Sequence, residues 1–108
     1  RGEHLASGRE RLSADMLNAI AIVERCVPGL PAAILAAFAD AVFNMGPTIA
    51  CNRKASTAAR YLYAGNLIAA CNQLPRWDKA RVLGVMVALP GLTTRRAAEQ
   101  QLCLTGTL

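Results

Sequence analysis

The chain is poor in the residues on which most side-chain chemistry depends. His4 is its single histidine, aromatic residues make up 5% of it, and no glycine-rich phosphate loop is present. One imidazole near a terminus and scattered serines define no Ser-His-Asp arrangement. The four cysteines, Cys26, Cys51, Cys71 and Cys103, include no C-x-x-C pair. Zinc ligands normally come in close pairs, so no metal site and no cofactor is expected. The sequence also lacks an apolar run of the ~18 residues that an ordinary membrane span needs. Its longest candidate, residues 30–42, contains Pro31 and is broken by Asp40.

What is present suits one compact domain. The 108 residues are 54% hydrophobic and 18% charged, which is too apolar for a disordered tail. Twelve Lys and Arg against seven Asp and Glu leave a net charge of +5. Most of these cations are arginines, which suit planar oxyanions. The charge therefore points to an anionic partner such as nucleic acid, acidic lipid or peptidoglycan. A nucleic-acid binder would gather its arginines on one recognition helix, whereas here they are spread from Arg1 to Arg96. Four widely spaced cysteines fit one or two disulfides or a set of buried thiols, with three full pairings open. The start, Arg1-Gly2-Glu3-His4, carries neither an initiator Met nor a secretory leader. It reads as the middle of something longer, with any export or anchoring element upstream.

Hydrophobic spacing predicts helices along the whole chain. Ser13 is placed to cap a helix whose face is Met16, Ile20, Val23 and Val27. Pro28-Gly29 ends it, and Pro31 suits the first turn of the next helix, Pro31–Met45. That helix is apolar nearly all round, as expected of an element surrounded by others. Thr48–Ala55 reads as a polar connection, after which Ser56 or Thr57 caps a short helix ended by Gly65. Asn66 can cap another, and Pro75-Arg76-Trp77 makes a break. Val82–Leu89 shows no partner strand and is read as helix or irregular, with Pro90-Gly91 as a turn and Thr93 or Thr94 capping a last helix. In that helix Arg95 and Glu99 stand at i, i+4, and Arg95-Arg96 reads as a solvated face. The fold class expected is all-α, with five to seven helices. Glu3 beside His4 is the only combination resembling general acid/base equipment. Trp77 is expected in the core.

Four stretches in order carry a resemblance. They are Ala39-Asp40-Ala41-Val42-Phe43-Asn44-Met45-Gly46, Cys51 with Ser56-Thr57 and Leu62-Tyr63-Ala64-Gly65-Asn66, Ala70-Cys71-Asn72-Gln73-Leu74-Pro75-Arg76-Trp77, and Leu89-Pro90-Gly91-Leu92 with Arg95-Arg96 and Glu99. From about Ser13 to Gly106 the chain resembles the phage-type lysozymes, the endolysins of glycoside hydrolase family 24. Two departures stand out: the interval from Cys51 to Ser56 is long, and Asn66 replaces the family's usual Asp.

The resemblance implies hydrolysis of the β-1,4 bond between N-acetylmuramic acid and N-acetylglucosamine in peptidoglycan. It implies a compact multi-helix lobe of a lysozyme-like α+β fold, with the N-terminal catalytic β lobe largely absent. Residues 1–12 would be a remnant of that lobe or its connecting loop, and residues 13–108 the helical lobe. The family's catalytic Glu would then be missing, leaving Glu3 as the one candidate and the chain alone inactive. Phe43, Asn44, Ser56 and Thr57 would contact sugar, while Arg76 and Trp77 match positions that are chiefly structural. Peptidoglycan strands would be the partner, with no nucleic acid and no metal, on a monomer acting in the periplasm or cell wall after export or release. Cys26 would have a partner upstream. The alternatives are a non-catalytic peptidoglycan-binding module and, ranked last, a basic nucleic-acid binder.

Overall fold

Ser13 opens the first helix of the computed structural model, which describes residues 13–108. Glu3, His4 and the segment 1–12 lie outside the described residues. The Ser13 hydroxyl accepts a hydrogen bond from the Met16 N–H at 3.0 Å, satisfying one of the donors that a helix start leaves open. Helix α1 (Ala14–Cys26) buries Ala19 and Val23. It packs against α2 (Ala32–Met45), which in turn lies against the last helix, α6 (Pro90–Thr105). Helix α2 buries Ala37, Phe38, Ala39, Ala41 and Val42. Its small alanines let the neighbouring helices approach closely while Phe38 fills the space between them. The centre of the domain is therefore where the hydrophobicity of 31–45 places it.

Gly46, at φ 93°, takes the chain out of α2. The expected polar connection contains a one-turn helix, α3 (Thr48–Cys51), whose Ile49 and Ala50 are fully buried. Ser56 caps α4 (Thr57–Ala64), Gly65 closes it at φ 78°, and α5 (Leu67–Cys71) follows without a side-chain cap from Asn66. Disulfides join Cys26 to Cys51 and Cys71 to Cys103. The expectation of an upstream partner for Cys26 is thus corrected. The first bridge fastens the end of α1 to α3, and the second ties α5 to α6.

Two further expectations are overturned. Val82–Leu89 is neither helix nor irregular: β1 (Lys79–Val82) and β2 (Val85–Ala88) form an antiparallel hairpin, with Val82 opposite Val85. Its two-residue turn holds Leu83 at φ 51° and Gly84 at φ 82°. A type I′ turn needs positive φ at both central residues, usually signalled by Asn-Gly. Leu-Gly disguises that signal, and the partner strand is the segment immediately before. The last helix begins four or five residues earlier than expected, with Leu89 at its N-cap. Pro90 occupies its first turn, where a missing N–H costs nothing. Thr93 lies inside the helix, donating to the Leu89 carbonyl at 3.1 Å.

Candidate functional site

The inner face of α6 carries Arg96, Glu99 and Cys103, three, four and seven residues apart as helical geometry requires. Arg96 is 0% exposed, so the expected solvated arginine face holds only for its neighbour Arg95. A buried guanidinium must be paired. Glu99 supplies the pair bidentately, accepting from Nε at 2.5 Å and from Nη2 at 2.6 Å. The Arg96 fork also reaches the Trp77 carbonyl at 3.5 Å and Asn44 Oδ1 at 3.4 Å. One side chain therefore links the end of α2 to the 3-10 turn Leu74–Trp77.

Glu99 does not pair with Arg95 as its spacing suggests. Arg95 turns instead to Asp40 on α2, donating to both carboxylate oxygens at 3.1 Å. Burial pushes the Glu99 carboxyl up to about 8, a hydrogen bond with Asp40 adds to this, and Arg96 pulls the other way. For Asp40 burial works upward too, but hydrogen bonds from Glu99 and Arg95 outweigh it and hold the group below its ordinary range. Two carboxyls with diverging affinities for protons resemble an acid/base pair. Their geometry argues otherwise. Asp40 is held by Arg95 and Glu99 by Arg96, whereas a glycosidase needs its two carboxyls free and about 5 Å or more apart to admit the sugar. This is a structural network.

The 3-10 turn, the start of α4 and the hairpin enclose a groove of about 300 Å³. Thr57, Gln73, Arg76, Trp77, Lys79 and Met86 line it, together with Ala55. Trp77 is half-buried rather than sealed in the core, with Arg76 exposed beside it. The lining combines an aromatic surface, an amide, a hydroxyl and two cations, and it contains no carboxylate. A larger groove of about 810 Å³ beside Arg53, Lys54 and Arg60 is less suited to a ligand. There Arg60 is occupied in holding the Arg53 carbonyl and the Thr57 hydroxyl, and Arg53 stacks on Tyr63 at 4.3 Å.

The four expected sugar contacts are not brought together. Thr57 lines the Trp77 groove. Asn44 is exposed, with its carbonyl oxygen turned to Arg96. Phe43 is 44% exposed but belongs to a separate groove of about 220 Å³, with Asp15, Asn18, Ile22 and Pro47. Ser56 leaves the set: it is buried, donating to the Ile49 carbonyl at 2.7 Å and accepting from the Ala59 N–H at 3.1 Å. A hydroxyl occupied in this way reaches no ligand. Gln73, Lys79 and Met86 were missed. The position of Arg76-Trp77 in a proline-marked break was the available sign of exposure.

A sequence model of the family Phage lysozyme matches residues 4–99. The SAR-endolysin of Escherichia phage P1 is 30% identical over 115 residues, covering 90% of this chain and 58% of that protein. The active form of P1 phage endolysin Lyz superposes with a TM-score of 0.71 at 27% identity, over 85% of this chain and 55% of that one. An endolysin from Escherichia coli O157:H7 phage FAHEc1 gives a TM-score of 0.76 at 25% identity, over 94% and 63% respectively. This chain therefore spans less than two thirds of the length of these relatives.

Proposed function

Since the chain belongs to the phage lysozyme family, we propose that it forms the glycan-binding wall of a muramidase. The bond cut would be the β-1,4 link between N-acetylmuramic acid and N-acetylglucosamine in peptidoglycan. The Trp77 groove carries this reading. Its indole offers an apolar surface to a pyranose ring while Gln73 and Thr57 offer hydrogen bonds to an N-acetyl group. Arg76 and Lys79 suit the carboxylates of muramic acid and of the peptide stems. Asn44 would extend this wall, held in place by Arg96. Phe43 would serve a neighbouring sugar or the edge of the cleft.

Glycoside hydrolysis of this kind uses two carboxyl groups and no cofactor. Among the described residues no carboxylate lines the Trp77 groove. Asp40, Asp78 and Glu99 are engaged by Arg95, Lys79 and Arg96. Asp15 lines the Phe43 groove and Glu24 lines neither, so on this reading the proton donor comes from outside the described residues and the described lobe binds the glycan. The same observation favours a second reading, a peptidoglycan-binding module with no catalysis of its own. Two disulfides suit a site of action outside the reducing cytoplasm, in the periplasm or wall.

The test is co-sedimentation of the 108-residue chain with purified peptidoglycan, alongside release of reducing ends. Binding without release is expected, with Trp77 fluorescence changing as N-acetylated oligosaccharide is added. No binding by either assay overturns the reading. A longer polypeptide spanning the full length of the P1 relative would release reducing ends if the muramidase reading holds, and none if the chain is a binding module.

A further inference from the structure

Exposed apolar side chains gather on the hairpin more than on any other element among the described residues. Val82, Leu83, Val85, Met86 and Val87 are all exposed, Leu83 at 99%. Strand alternation sorts them. Met86 turns with Lys79 toward the Trp77 groove, while Ala80, Val82, Val85 and Val87 share the opposite face. Neither strand has a second partner among the described residues. At the tip, Leu83 occupies a left-handed conformation that favours Gly or Asn. A leucine there is strained and unburied, so the fold gains nothing from its side chain.

We propose that this hairpin docks shallowly into an anionic lipid surface. Charge and size select that occupant. Residues 79–88 contain Lys79 and Arg81 and no carboxylate, Arg76 lies exposed at the base, and the whole chain carries +5. An aliphatic hairpin on a chain of net positive charge matches an interface in which acyl chains lie beneath phosphates. The Lys79–Asp78 pair is a surface one and costs little to exchange for a headgroup. A second copy of the chain is a poorer fit. Two four-residue strands present a face of only about 130 Å², against the roughly 800 Å² per partner of a standard interface. A lipid surface has no such minimum area, because each apolar side chain that enters it contributes separately.

The experiment is sedimentation of the 108-residue chain with large unilamellar vesicles of phosphatidylglycerol and phosphatidylethanolamine, against vesicles of phosphatidylcholine. Binding is expected to the anionic vesicles only, and it should weaken as salt rises. Leu83→Asn is the informative variant. Asn suits the turn, so the fold is kept, while vesicle affinity should fall about tenfold with the apolar tip gone. Val85→Asp, on the outward face, should do the same. Three results would overturn the proposal: no sedimentation with anionic vesicles, equal binding by the Leu83→Asn protein, or hairpin-dependent self-association without lipid binding. The last would make a second copy the occupant. Peptidoglycan binding is scored separately, so failure here leaves the Trp77 groove untouched, and the converse holds.

Discussion

Val23 and Val85 are the same residue in two regions built on different terms. Val23, on α1, is 0% exposed, whereas Val85, on the hairpin, is 61% exposed. In the helical body most large apolar side chains meet one another, two disulfides tie the helices across long stretches of sequence, and a buried ion pair lies within α6. The hairpin is held by its own ladder, by the bond from Leu89 N–H to the Asp78 carbonyl, and by Lys79 and Met86 at the groove. Apolar composition alone therefore does not say what a segment is for. In the body it supplies stability. In the hairpin it is spent on the surface.

The largest effect that would break this contrast is expected inside the body. Measured above about pH 8, where Glu99 is ionised, Arg96→Ala leaves that carboxylate buried without its partner, and removing one member of such a pair costs about 3–5 kcal/mol. The double variant Arg96→Met with Glu99→Leu should recover most of the loss, since an apolar pair of similar volume needs no solvation. Urea unfolding measures both. A cost under about 1 kcal/mol for Arg96→Ala would mean that the fork does not hold α2 to the 3-10 turn. Next come the bridges. They close sequence separations of 25 and 32 residues, for which chain entropy gives about 3–4 kcal/mol each. Replacing Cys71 and Cys103 together by alanine should lower the urea midpoint accordingly, and the hairpin's exchange rates should stay as they were. If they rise in step, body and hairpin are one unit.

Much of the body could be read before any coordinates. The caps Ser13 and Ser56, the stop at Gly65 and the central helix follow from local rules, because each depends on residues within a turn or two. Three of the misses share a cause. The burial of Arg96 and the Asp40–Arg95 pairing depend on residues 52 and 55 positions away in sequence, and no local pattern distinguishes a buried arginine from a solvated one. The partner of Cys26 was equally non-local. The hairpin failed for the opposite reason: its signal is local, but Leu83 stands where Asn usually announces the turn. At the candidate site Thr57 lines the groove and Asn44 is exposed, whereas Ser56 is buried; a good helix cap and a good sugar contact look alike in sequence.

A smaller effect is a dependence on pH that only the body should show. Glu99 binds its proton more tightly in the folded protein, up to about 8. The folded state thus holds more proton than the unfolded one between the ordinary carboxylate range and about 8, and stability falls as pH rises through that window. Asp40 acts oppositely: its lowered affinity adds stability above its ordinary range, and acidification removes it. Unfolding measured from pH 5 to pH 8.5 should therefore show a decline of at most a few kcal/mol, and Glu99→Gln should flatten it. An unchanged slope in that variant would assign the decline to another group.

The smallest effect tests the hairpin's independence most directly. Leu83 sits at φ 51°, and a left-handed conformation costs an ordinary residue about 1 kcal/mol. Leu83→Asn should relieve most of that strain, since Asn is several-fold enriched there. Where the gain appears depends on what unfolds with what. If the hairpin opens while the helices stay folded, relief of the turn slows amide exchange at Val82 and Val85, and the thermal midpoint of the body stays where it was. If the hairpin melts only with the body, the same relief raises the midpoint by several degrees, because a domain of this size shifts about 4–8 °C per kcal/mol. The first result is expected, because among the described residues the hairpin joins the helices at the groove and the strand ends, and an element proposed to enter a lipid surface gains by opening without cost to the body behind it.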